Sequence, residues 1–294
     1  MRGFFLIITA LAIWSSWGLF VRWVDKPAVV IAFYNALFAM VFQGAALLMA
    51  GRRGKLHMGR DMGAVLLLGV CGLANFLLYI YALKATTIAS AAFTHYTAPV
   101  FVAVLAPLIL KDRMGGGTLF ALALSFAGLV LIFGRGLESM GGPALWGALA
   151  GTGSGLAYAF VIIILRAISR RNHPLKLAFL PAALSFIVLA PFALMSGSAG
   201  LTLKQGLIFL TVGLFHSTLA NVVYSYGIRE VKAQDAGVLG YMEAVLAISL
   251  AFLFLGETPP ALAVLGGALI VVSGLVVMRQ AGRGVMGGAD DNRC

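Results

Sequence analysis

Glu243 is a carboxyl group in an unusual setting. It lies inside the apolar run GVLGYMEAVLAISLAF and is the one acidic residue deep in any apolar run of the chain. Burial disfavours the charged form of a carboxyl, which suits such a group to carry a proton or to meet an amine. The bland alternative is a carboxyl held by a local hydrogen bond or sitting at an aqueous rim. His95 stands beside Tyr96 and four residues before Pro99. Proline has no N–H and clashes with the carbonyl four residues back, here that of His95. A helix bend at Pro99 is expected, with a freed carbonyl and an imidazole forming a polar notch that must face protein or water. Structural glue between helices is the competing reading for His95 and the favoured one for His216.

Other candidates fall on stripes. Asn75 and Tyr79 are spaced by four; Ser217, Asn221 and Tyr224 follow i, i+4, i+7; Trp17 and Tyr158 stand in further apolar runs. Such spacings put side chains on one helix face, and polar stripes turn inward because lipid cannot satisfy them. Aromatic faces bind flat or cationic solutes by stacking and cation–π contact. The candidate lining is therefore Trp17, Asn75, Tyr79, His95, Tyr96, Tyr158, Asn221, Tyr224, Tyr241 and Glu243. Ordinary helix packing and interfacial aromatics are the alternative, and the stronger one for Tyr81 and Tyr226 near helix ends. Catalytic and metal-binding signatures are missing: GxSxG, HExxH and paired-cysteine patterns do not occur. GTGSG at 151–155 follows no strand and has no lysine, so it is not a phosphate loop. No cofactor is expected.

The elements that must position these groups are membrane helices. Hydrophobic residues make up 61% of the chain, charged residues 11%, and mean hydropathy is +1.01. Soluble domains carry about 25% charged residues, and a bilayer core takes about 20 apolar residues per helix. Spans are expected at 4–24, 28–50, 62–83, 86–110, 118–134, 144–166, 174–196, 204–227, 233–255 and 260–279. The fold class is an all-α membrane protein of ten transmembrane helices. The first span is kept as a true helix, because it contains Trp14 and Trp17 and lacks a small-residue cleavage pattern. Gly147, Gly151 and Gly155 form a ladder spaced by four that permits close helix approach. Cys71 and Cys294 are expected as free thiols.

The formal net charge of +11 could suggest nucleic acid, but its placement argues otherwise. With the N-terminus inside, 16 of the 21 basic residues fall in inside segments, and the outside keeps Arg22, Lys26, Lys84, Arg135 and Lys204. Lys/Arg bias of this kind sets orientation, so both termini are expected to be cytoplasmic and no nucleic-acid partner is expected. Membrane lipid is the expected surrounding.

The break GRGLESMGGP at 134–143 divides the spans five and five. YALK at 81–84 returns as YGIR at 226–229, Tyr96 as Tyr241 and Asp112 as Glu257, all at one offset of 145. Two similar five-helix units in one chain must lie upside down to each other. Domains are expected at 1–140 and 141–280, with a cytoplasmic tail at 281–294 lacking fixed structure. Inverted repeats are an architecture of alternating-access transporters that hold substrate near the midplane. One chain supplies both halves, so a functional monomer is expected.

From these motifs the chain resembles the drug/metabolite transporter superfamily, in its ten-helix EamA type. The resemblance rests on YALKATTIASAAFTHYTAPVFVAVLAPLILKDR, with Lys84, Pro99 and Asp112, and on YGIREVKAQDAGVLGYMEAVLAISLAFLFLGET, with Arg229 and Glu257. Glu243 matches a glutamate common in the family just before its proline. This chain departs by having Ala244 in place of that proline, and Asn35 where an arginine is often found. The resemblance implies export of small metabolites across the bacterial inner membrane, and is nearest to bacterial exporters of amino acids, aromatic ones included. A proton-coupled multidrug efflux pump for organic cations is the alternative. A membrane-embedded enzyme would need clustered catalytic His, Asp or Ser near an interface, and no such cluster occurs.

Overall fold

The computed structural model describes residues 1–17, 20, 23–50, 59–112, 114–134, 143–256 and 258–290. Among these, nine helical stretches are long and apolar enough to cross a membrane, and Arg2–Ser15 is a shorter apolar helix beside them. The helices are α1 (Arg2–Ser15), α2 (Ala28–Met49), α3 (Met62–Ala85), α4 (Ile88–His95), α5 (Ala98–Leu110), α6 (Gly116–Phe133), α7 (Pro143–Ser169), α8 (Pro174–Met195), α9 (Leu203–Val212), α10 (Asn221–Gly227), α11 (Ala233–Gly240), α12 (Met242–Leu255) and α13 (Ala261–Asp290). The 51–58 part of the basic loop and Glu257 lie outside the described residues. The first expected span is described as continuous helix only to Ser15, and α13 runs on to Asp290 rather than ending near 279.

Polarity is arranged for lipid. Large apolar side chains such as Phe5, Val104, Leu108, Phe192 and Phe254 are exposed, while Gln43, Ser125, Ser154, Ser225 and Ser273 are buried. Hydrocarbon accepts the former and cannot satisfy the latter. Starts are capped where the sequence allows. Thr87 accepts from Ser90 N at 3.1 Å to open α4, and Thr202 with Gln205 forms a capping box on α9.

Three spans are interrupted. The 88–110 stretch breaks between α4 and α5 at Tyr96 and Thr97, with Pro99 in the first turn of α5. The 233–255 stretch breaks at Tyr241, the position matching Tyr96, although Ala244 replaces the proline there. The departure at Ala244 therefore does not remove the interruption. Tyr241 N bonds to Val238 O and Ala244 N to Tyr241 O, so three-residue bonds tighten the chain without proline. The third interruption is Gly213–Ala220, wound as a π-helix between α9 and α10. Thr218 Oγ1 donates to the carbonyl of Gly213, five residues back, at 2.8 Å.

Corresponding helices of the two halves pack antiparallel. Ser125 of α6 bonds to Ser273 of α13, Gly128 abuts Gly266, and Gly117 lies under Gln280. Descending along α6 thus ascends along α13. Likewise Phe33 of α2 stacks on Phe186 of α8, while Gly44 faces Phe179. α5 and α12 end alike, in left-handed residues at matching positions, Lys111 (φ 58) and Gly256 (φ 68).

One end of the bundle is tied by arginines. Arg171 grips Asp61 through two bonds of 2.9 and 3.2 Å, and Asn172 Nδ2 adds a third at 2.7 Å. Asp61 holds the Arg171 guanidinium above its ordinary pKa. Arg166 and Arg170 donate to the carbonyl of Arg229, which itself donates to the carbonyls of Ser169 and Asn172. Near this end Thr118 donates to the buried Asp235 at 2.9 Å.

Candidate functional site

The glycine ladder determines where the site forms. A Cβ at Gly155 would stand 2.7 Å from the carbonyl oxygen of His95, and one at Gly147 would stand 2.8 Å from Thr86 Cβ. Only glycine lets the α4–α5 corner come so near α7. This approach places His95 Nδ1 2.7 Å from Ser154 Oγ. The Ser154 hydroxyl donates to Gly151 O at 3.0 Å, so the imidazole is the donor of the pair. Nε2 is then the acceptor of the ring.

Aromatic rings surround this histidine. Tyr79 of α3 lies 4.6 Å from it between centroids, Tyr96 5.5 Å and Tyr158 of α7 5.6 Å. Glu243 enters from the other half of the chain. The break at Tyr241 puts it in the first turn of α12, where the helix dipole favours negative charge. Its carboxyl interacts electrostatically with Tyr79, Tyr96, Tyr158 and Tyr224. Glu243, Tyr79, His95, Tyr96 and Tyr158 are all half-buried, so each keeps some accessible surface inside the bundle. The interruptions before α5 and α12, the ladder of α7, and the faces of α3 and α10 thus bring six expected residues together.

The remaining four are elsewhere. Trp17 sits 6.2 Å from Phe76 and 6.0 Å from His216, in a neighbouring aromatic group. Asn221 donates to the carbonyls of Ser217 and His216, serving the π-helical turn. Asn75 is one turn from Tyr79 on α3, and its Oδ1 is buried with no partner among the described residues. Tyr241 is fully buried in the core. It has no accessible surface, and its hydroxyl has no partner among the described residues.

Trp14 occupies the place expected for Trp17. Its ring is 5.2 Å from Tyr224, and its Nε1 donates to His216 O at 3.0 Å. Trp14 lies within α1, whereas Trp17 lies beyond its end at Ser15. His216 Nε2 lies 2.9 Å from Ser16 Oγ, tying α1 to the π-helical turn, in keeping with the structural reading of this histidine. Among the described residues no group of three His, Cys, Asp or Glu side chains could hold a metal ion.

The arrangement is one acid, four phenols, the Trp14 indole beside Tyr224, and one imidazole, held between apolar spans. It can meet a solute that offers a cationic or hydrogen-bonding head and a flat or apolar body.

A helical bundle that spans a membrane many times around a polar, aromatic interior is the class of protein that fold and site define. Two consecutive stretches, residues 1–134 and 145–279, each match the model of the EamA-like transporter family, and the chain belongs to that family. It is a multi-pass membrane transporter. It is 30% identical to an uncharacterized transporter of Archaeoglobus fulgidus, across 76% of this chain and 78% of the relative. It is 26% identical to the pseudopaline exporter CntI of Pseudomonas aeruginosa, across 73% and 74%. A protein of Streptantibioticus cattleyicolor named "probable terminal-alkyne amino-acid exporter" is 26% identical, across 62% and 61%. A solved crystal structure shares the fold with a TM-score of 0.81, covering 94% of this chain and 98% of that one at 19% identity.

Proposed function

We propose that this transporter exports small amphipathic metabolites, amino acids first and aromatic ones among them, from the cytoplasm across the bacterial inner membrane. The observation that carries the reading is the cluster at His95, ringed by Tyr79 and Tyr96 of the first half and Tyr158 of the second at 4.6–5.6 Å, with Glu243 in electrostatic reach of all three tyrosines and of Tyr224. A carboxylate suits the ammonium of an amino acid, and the rings suit its side chain. Exporter names among the relatives, one of them for an amino acid, support the direction and the substrate class.

The mechanism is alternating access between inverted five-helix repeats. Antiparallel packing of α6 on α13 and of α2 on α8 supports that symmetry. The arginine-tied end is read as cytoplasmic, with both termini there, because it carries Arg166, Arg170, Arg171 and Arg229. The protein works as a monomer, since one chain contains both halves. A second reading, proton-coupled efflux of organic cations, is favoured by the pairing of a single acid with aromatic faces.

The test is flux through proteoliposomes, with and without a pH gradient, using labelled Phe, Trp, Thr, Met and tetraethylammonium. Export of amino acids is expected. Tetraethylammonium flux alone would move the conclusion to the cation pump. Glu243→Gln is expected to abolish any stimulation by the gradient; unchanged stimulation and rate would remove Glu243 from coupling.

A further inference from the structure

A cavity of about 210 Å³ lies apart from the Glu243 chamber, bounded by α2, α3, α7, α8 and the Gly213–Gly227 stretch. Its polar lining is Asn35, Gln43, Ser185, Ser217, Asn221 and Ser225, and among the described residues no charged side chain lines it. The rest is apolar, with Leu73 and Phe76 on the α3 side. The two walls come from corresponding places in the two halves. At the offset of 145, Ser217 answers to Gly72 and Asn221 to Phe76. One wall is therefore hydrogen-bonding and the opposite one greasy.

The polar wall is fixed in place. Gln43 Nε2 donates to Ser217 O at 2.6 Å, Asn221 Nδ2 to the same carbonyl at 2.9 Å, and Ser217 Oγ to Asn35 Oδ1 at 2.6 Å. With its amide nitrogen bonded to Ser217, Gln43 is left with Oε1 as a buried acceptor beside the cavity that it lines. Gln43 is only 1% exposed, and that oxygen has no partner among the described residues. An unmet buried acceptor is costly, and a solute N–H or O–H would meet it. A charged solute would lose its hydration with no counter-charge to replace it. The volume exceeds the ~150 Å³ of an engineered cavity that takes benzene and falls short of the ~300 Å³ of small drug sites.

We propose that this cavity is a second solute site, selective for small uncharged amphipathic molecules of amino-acid size that donate a hydrogen bond to Gln43 Oε1. The site does not depend on what the Glu243 chamber carries.

The probe is N-acetyl-L-leucinamide, a neutral amide with an apolar branch. The full chain carrying Cys71→Ala, Cys294→Ser and Ser185→Cys is reconstituted in liposomes and alkylated with N-ethylmaleimide. Saturating amide is expected to slow alkylation about five-fold or more, as occupancy of one site requires. L-leucine and ethylammonium at the same concentration are expected to leave the rate unchanged. Gln43→Leu, checked for native melting, is expected to abolish protection. Asn35→Ala, which releases Ser217 but spares Gln43, is expected to weaken it. Glu243→Gln is expected to keep it. An unreactive cysteine at 185, equal rates with and without amide, protection that survives Gln43→Leu, or protection lost in Glu243→Gln would each overturn the proposal.

Discussion

Gly155→Ala and Gly153→Ala form a matched pair on one helix, and the structure predicts opposite outcomes. Alanine is favoured over glycine in a helix by about 1 kcal/mol. At Gly153 little opposes that gain, since the new methyl would meet only Leu78 Cδ1, at 3.5 Å. At Gly155 it would meet His95 O at 2.7 Å, Thr97 Oγ1 at 3.0 Å and Ala98 N at 3.2 Å. Two of these are backbone atoms of the α4–α5 corner, which cannot rotate away. Overpacking of this kind costs about 1–3 kcal/mol. Gly153→Ala is therefore expected to gain about 1 kcal/mol, and Gly155→Ala to range from neutral to about 2 kcal/mol less stable. Unfolding in mixed micelles by SDS titration, followed by tryptophan fluorescence, measures the gap. Amino-acid flux is a second readout, because lifting the corner pulls His95 from Ser154. Equal stability and equal flux for the two variants would refute the claim that close approach at Gly155 builds the site.

Lys111 holds a left-handed conformation at φ 58, which costs a side-chain-bearing residue about 1–2 kcal/mol relative to glycine. Lys111→Gly is expected to stabilise by about 1 kcal/mol, and Gly256→Ala at the matching position to destabilise by a similar amount, both read by SDS titration. Ser273 donates to Ile270 O at 2.7 Å and accepts from Ser125. Ser125→Ala is accordingly expected to cost about 0.5–1 kcal/mol, Ser273→Ala about 1–2 because it orphans a buried hydroxyl, and the double variant less than Ser273→Ala alone. A double-mutant cycle on the same titration checks the order.

Apolar runs and loop shortness determined the helices, because a bilayer leaves backbone polar groups no partner except their own helix. The offset of 145 announced the repeat, and Pro99 announced the first break, which the structure places at Tyr96 and Thr97. The second break was obscured in sequence by Ala244, since three-residue hydrogen bonds leave no proline to read. Glu243 and His95 were legible as candidates because costly groups at bilayer depth are few, Tyr79 because it shares a helix face with Asn75, and Tyr158 as an aromatic within an apolar run.

Which of those groups meet was decided by packing between helices distant in sequence. Periodicity gives a face but not the rotation of that face against its neighbours. Trp14 rather than Trp17 therefore reaches Tyr224, and Tyr241 turns into the core while its counterpart Tyr96 joins the chamber. The π-helical turn at Gly213–Ala220 has the same origin. Its extra residue per turn shifts the register of Ser217 and Asn221, and it arises where Gln43, Trp14 and Ser16 hold that segment from other helices. The sequence alone determined a membrane bundle with an unusual acid in it. Tertiary packing decided which tyrosines share this acid's surroundings, Tyr79 and Tyr96 from the first half and Tyr158 and Tyr224 from its own, with glycines at 151 and 155 letting the α4–α5 corner close on α7.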